Sequence, residues 1–142
     1  MSVRTGDRKE GKITVVDASR QLIEYTYDRV HDKTLPKADR WLMAKTIWDD
    51  ASQARAKLLR ANSIRVESTP EAEERILLLK QVIGHLDSLN ASIDTLHIKD
   101  KISDDRSDFW TGLVTDMQNL TKAMLKSNKR TYAPFLTAIN ND

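Results

Sequence analysis

One stretch constrains the fold more than any other. Ser68-Thr69-Pro70 is followed by Ile76, Leu79, Val82 with Ile83, Leu86, Leu89, Ile93 and Leu96. Apolar residues every three or four positions, close to a heptad seam, predict a helix with one continuous apolar stripe. Its start is well specified. Ser68 and Thr69 offer N-caps, Pro70 suits a first turn, and Glu71, Glu73 and Glu74 face the positive end of the helix dipole. The helix is expected to end near Lys99. Gly84 inside it costs about 1 kcal/mol relative to alanine, which predicts close packing there. So long a stripe has to be covered by other elements.

Three further segments carry the same periodicity. The first is expected from Asp17, as N-cap, to about His31, with Val16, Ile23, Tyr27 and Val30 on its apolar face and Leu22 and Tyr25 widening it. The second opens at Pro36 and runs to about Asn62 on Trp41, Ala44, Trp48 with Ile47, Ala51, Ala54 and Leu58. The fourth is capped by Ser103-Asp104-Asp105, carries Trp110, Leu113, Met117, Leu120 and Met124, and is expected to stop at Ser127-Asn128. With only four glycines and three prolines in 142 residues, turns for a sheet of any size are lacking.

The expected fold is therefore all-α: an up-down-up-down antiparallel four-helix bundle. Residues 17–128 would form the bundle, 1–16 a charged N-terminal arm with a short β-branched piece at Lys12–Val16, and 129–142 a C-terminal tail. Trp41, Trp48 and Trp110 would be the large core fillers. Ile76-Leu77-Leu78-Leu79 is more apolar than one buried face requires, so Leu77 or Leu78 is expected at a subunit interface.

Several chemistries are excluded or poorly supported. With no cysteine there are no disulfides, thiolate metal sites or cysteine nucleophiles. The arm lacks the apolar core of a secretory signal, and no apolar run approaches the roughly 20 residues of a membrane span, so a cytoplasmic protein without membrane contact is expected. No Gly-rich phosphate loop, nucleophile elbow or His-Glu-x-x-His occurs, and His85 reads as a surface or boundary residue. Asp28-x-x-His31 and Asp94-x-x-His97 have the spacing of di-iron bundle ligands. They fall in last turns, use aspartate for glutamate and lack inward glutamates on the other helices, which favours solvated residues at helix C-termini. No catalysis, metal or cofactor is expected.

Charge is more informative. The formal net charge is only +2, yet the signs are segregated. Arg55, Lys57, Arg60 and Arg65 lie in an acid-free stretch, as do Lys122, Lys126, Lys129 and Arg130, while acids gather at Glu67–Glu74 and Asp100–Asp108. In the expected topology the ends of helices two and four share a pole, which brings both basic groups there. Cations at helix C-termini also complement the dipole, so the pattern fits either a phosphate-binding surface or ordinary helix decoration.

Leu35-Pro36-Lys37-Ala38-Asp39-Arg40-Trp41 at the start of helix two, and Phe109-Trp110-Thr111-Gly112-Leu113-Val114 with Gln118, Leu120, Lys126-Ser127, Arg130 and Tyr132, carry a family likeness over about residues 17–133. In these the chain resembles small bacterial four-helix-bundle proteins that include the accessory variability determinant of diversity-generating retroelements and, more distantly, the proteins encoded in intervening sequences of 23S ribosomal RNA genes. The charged leader and the longer tail depart from that pattern. The resemblance implies a non-catalytic homo-oligomer, a pentamer in the retroelement case, that binds RNA or DNA and a reverse transcriptase during template RNA copying and mutagenic retrohoming. The eight cations named above would then be phosphate contacts. The alternative is a four-helix-bundle protein–protein interaction module without nucleic-acid binding.

Overall fold

The computed structural model describes the backbone of residues 13–140 and the side chains of residues 13–136. Most of the expected arm (1–12) and the end of the tail lie outside those ranges. Helices α1 (Val15–Val30), α2 (Lys37–Ser63), α3 (Thr69–Ile98) and α4 (Asp104–Thr131) are followed by a short α5 (Ala133–Asn140). Connections of six, five and five residues join the first four, short enough to enforce antiparallel neighbours. Each helix packs on the next and α1 closes against α4, which leaves α1 and α3, and α2 and α4, on the diagonals. This is the four-helix bundle expected from the periodicity.

The ends are set by identifiable groups. The Thr14 hydroxyl accepts from the Asp17 amide at 3.1 Å, so α1 starts two residues before Asp17, and Val15 and Val16 are helical, not extended. Ser103 caps α4 by accepting from the Arg106 amide at 3.2 Å. The end of α3 is closed by Asp100, whose φ of 57° is left-handed; its amide donates to the His97 carbonyl and the Lys101 amide to the Leu96 carbonyl. That pair of bonds satisfies carbonyls the helix would otherwise leave open. It also directs Ile102 into the core.

Helix α3 supplies the spine. Ile76, Leu79, Val82, Leu86, Leu89, Ile93 and Leu96 are all buried, as their spacing predicts. Ala51, Ala54 and Leu58 of α2 are buried too, joined by Ile47 and Ala61. The other two faces differ from expectation. In α1 the buried residues are Ala18, Ser19, Leu22 and Thr26, while Tyr27 is largely exposed. Thr26 takes an inward position because its hydroxyl accepts from the Trp110 indole N–H at 3.1 Å, which satisfies the indole in the core. In α4, Val114, Gln118 and Thr121 are buried alongside Trp110 and Met117, and Leu113, Leu120 and Met124 are only half-buried.

Of the three tryptophans only Trp110 is a core residue. Trp48 is half-buried against Tyr27 with ring centroids 5.8 Å apart, and Trp41 is 80% exposed. Leu35 and Ile102, from the two connections at that end, are buried where Trp41 was expected to help fill the core. Gly84 is exposed with no atom within 4 Å of where a Cβ would stand, so it does not mark close packing.

Helix α4 continues three residues beyond its expected stop, because Asn128 is held inside the bundle by Arg75. After Tyr132 the chain turns into α5, which packs on α3 and α4. Thr69 donates to the Phe135 carbonyl at 3.1 Å, tying this part of the expected tail to the start of α3.

Candidate nucleic-acid interface

Four of the eight predicted cations lie along the last turns of α4. Lys122, Lys126, Lys129 and Arg130 are spaced three or four residues apart, so they share one side of the helix over about 12 Å of its length. All four are exposed. Among the described residues none has a carboxylate within ion-pair distance. The reason is local: from Met117 to Pro134 the sequence offers no acid to pair with them.

The four on α2 and just beyond it are differently placed. Arg60 reaches Glu74 of α3 with two nitrogens, at 2.6 and 3.2 Å. Arg65 lies 3.4 Å from Glu67. Lys57 donates to His85 at 3.0 Å, and His85 in turn bonds Asp50 at 3.1 Å. Arg55 is half-buried, with its Nε enclosed and unbonded among the described residues. The acids that open α3 therefore meet the cations that close α2, as antiparallel neighbours with complementary dipole ends must. Both basic groups do reach one pole, but on diagonal helices with α3 between them. They form a free stripe on α4 and a largely paired set on α2, not one continuous surface.

Between them stands a residue that reading by hydrophobic spacing passes over. Arg75 lies in the apolar register of α3, between Ala72 and Leu79. Its Nη1 donates to the carbonyls of Ala61 at 2.8 Å and Ile64 at 3.1 Å, which end α2. Its Nε donates to the Asn128 side chain of α4, and its guanidinium lies 5.8 Å from the centre of the Tyr132 ring. The signal in the sequence is an arginine where the seam calls for an aliphatic residue.

The opposite pole has another character. Trp41 and Leu42 at the start of α2 are 80% and 64% exposed, and Ile98 and Phe109 also expose more than half their surface. Tyr27, near the end of α1, adds a fifth exposed apolar group to this half of the bundle. Beside them a polar clamp ties the connections together. Asp32 accepts from Arg29 at 2.9 Å, from Arg106 at 2.7 Å, and from the amide and hydroxyl of Thr34 at 2.8 Å each. The Thr34 bonds, with the two arginines, hold its carboxyl below the usual range. His97 bonds Asp104 at 2.6 Å, which raises the imidazole above its ordinary value.

Of the expected interface pair, Leu78 is buried in the core and cannot meet a neighbour, whereas Leu77 is 55% exposed beside Leu136. The metal-like pairs are turned outward: Asp28 and Asp94 are exposed, and the His31 ring bonds its own helix at the Tyr27 carbonyl, 2.8 Å away. A groove of about 460 Å³ between α1 and α4 is lined by apolar Ile13, Ala18, Leu113 and Leu120, with Asp116 the one titratable group among the described residues on its walls. No helix among the described residues is long and apolar enough to cross a membrane. No protein-family model matches the chain, and no curated protein matches it.

Proposed function

We propose that this protein is a non-catalytic, oligomeric accessory protein that binds nucleic acid along the end of α4. The observation that supports this most is the stripe of Lys122, Lys126, Lys129 and Arg130, four exposed cations without a carboxylate partner among the described residues. Such a stripe suits successive phosphates, since affinity for a polyanion comes from cations free to displace its counterions. Exposed apolar side chains, Leu77 near one end and Trp41, Leu42 and Phe109 near the other, support assembly. The more specific role, partnership with a reverse transcriptase in a diversity-generating retroelement, and the pentameric state rest on the resemblance alone.

The test is binding of a structured RNA and a DNA duplex across a salt series. Each lost phosphate contact reduces the slope of log affinity against log salt by about 0.7 to 0.9. Lys122→Glu with Lys126→Glu is expected to make it shallower by about 1.5 and to weaken binding, while Arg60→Gln with Arg65→Gln, already paired, changes it little. Unchanged binding by the α4 variant at low salt refutes the reading.

A second reading is favoured by one observation, the exposed Trp41–Leu42 pair with Ile98 and Phe109 in the same half of the bundle. On it the protein is an interaction module that docks a partner protein there. No RNA or DNA shift at low ionic strength, together with tight protein capture lost in Trp41→Ala, selects this reading.

A further inference from the structure

Lys57 differs from Arg60 and Arg65, because its partner is an imidazole and not a carboxylate. An ammonium can only donate, so the contact of Nζ with His85 Nε2 at 3.0 Å requires a lone pair on Nε2. The ring proton then sits on Nδ1 and is donated to Asp50 Oδ1, 3.1 Å away. The three residues form a chain of two hydrogen bonds between α2 and α3, and it exists in only one protonation state of His85. A second proton on the ring keeps the Asp50 bond as an ion pair, but it removes the acceptor that holds Lys57 and sets two positive charges 3.0 Å apart.

We infer that His85 is a proton-operated latch on Lys57: deprotonated, it holds the ammonium against α3, and protonated, it expels it toward solvent. Resting on the nucleic-acid reading, this gives the cationic pole a proton-dependent cation on α2, separate from the α4 stripe. Among the described residues, the charged groups bonded to His85 are Asp50 and Lys57, both of α2. One turn either side on its own helix, Gln81, Val82, Ser88 and Leu89 carry no charge. Glu74, on the same side of α3 but three turns away, is occupied by Arg60. His85 and Asp50 are both partly open to solvent, so protons reach them without unfolding the bundle. Histidine is the side chain whose charge ordinarily changes between pH 5 and 8.

Acidification then adds a charge on His85 of α3 and frees the charge on Lys57 of α2. The experiment has two readouts on the full chain. In the first, NMR follows the His85 ring nitrogens and the Lys57 side-chain carbons and Nζ from pH 8.0 to 5.0. The Lys57 signals are expected to move with the His85 midpoint and to lose that step in His85→Gln. In the second, the salt dependence of RNA binding is compared at pH 8.0 and 5.5. The wild-type slope is expected to steepen by about 0.7 on acidification, a gain missing from His85→Gln and from Lys57→Met, both of which keep His31 and His97. Lys57 signals that ignore His85, or an undiminished pH response in both variants, overturn the latch. Coupled NMR midpoints without RNA binding at either pH leave the latch standing and refute the nucleic-acid reading instead.

Discussion

Replacing Arg75 by methionine is the sharpest test of how this bundle is held at its cationic pole. Methionine keeps an unbranched stem in the apolar register and removes the guanidinium. Three acceptors then lose a charged donor: the Ile64 carbonyl, the side chain of Asn128, and the Ala61 carbonyl, which keeps the Ile64 amide at 3.2 Å. A hydrogen bond from a charged donor contributes about 1.5–3 kcal/mol when fully protected. Arg75 is only half-buried and Asn128 retains slight exposure, so water replaces part of the loss. A net cost of about 2–4 kcal/mol is expected, a large share of the stability of a domain this size. Arg75→Lys keeps the charge but not the fork that spans three acceptors on two helices, and should recover less than half. Urea unfolding measures it, with the slope in denaturant checked for constancy between variants. A double-mutant cycle with Asn128→Ala should show coupling of about 1 kcal/mol, because the two groups share a bond. A loss below about 0.5 kcal/mol for Arg75→Met would show that solvent already satisfies these carbonyls, and the reasoning fails.

Thr26→Val removes the acceptor of the buried Trp110 indole and should cost about 1–3 kcal/mol in the same assay, with a shift in tryptophan emission. Gly84→Ala and Gly112→Ala, both helical and with free space at the Cβ, should each stabilise by about 0.5–1 kcal/mol, read as a raised Tm. Asp32, with its folded pKa below the unfolded 3.8, contributes stability that is fully present above that value and fades as pH falls through the lower folded one. Asp32→Asn should therefore destabilise at pH 7 and converge with the wild type as pH falls through the lowered folded value, as followed by urea titration at each pH.

The sequence made the architecture legible because α3 obeys the simplest rule. Its inward positions are aliphatic without interruption from Ile76 to Leu96 apart from their spacing, and burial follows. In α1 the same rule is only partly right: Leu22 is buried and Ile23, Tyr25 and Val30 pack against the core, but the set is incomplete. The helix turns Ala18, Ser19 and Thr26 inward, small or polar residues that a count of apolar side chains passes over, and leaves Tyr27 outside. Thr26 is inward for a reason located 84 residues away, the Trp110 N–H that needs an acceptor. Trp41 misleads in the opposite sense, since its hydrophobicity suggests burial while Leu35 and Ile102 occupy that end of the core. For the candidate site, charge segregation placed both basic groups at one pole. It did not reveal the pairings of Arg60, Arg65 and Lys57, which depend on which side of α3 faces α2. Arg75 needed three helices at once to be understood.

Trp41, Leu42, Ile98 and Phe109 expose apolar surface at one end of the bundle. Lys122, Lys126, Lys129 and Arg130, without carboxylate partners among the described residues, lie at the other, which gives the molecule a head and a foot. If the nucleic-acid reading holds, a polyanion would draw the foot toward itself through long-range attraction, and encounters would be aligned before any contact forms. The aromatic end would then face outward, about one helix length, some 40 Å, from the bound strand.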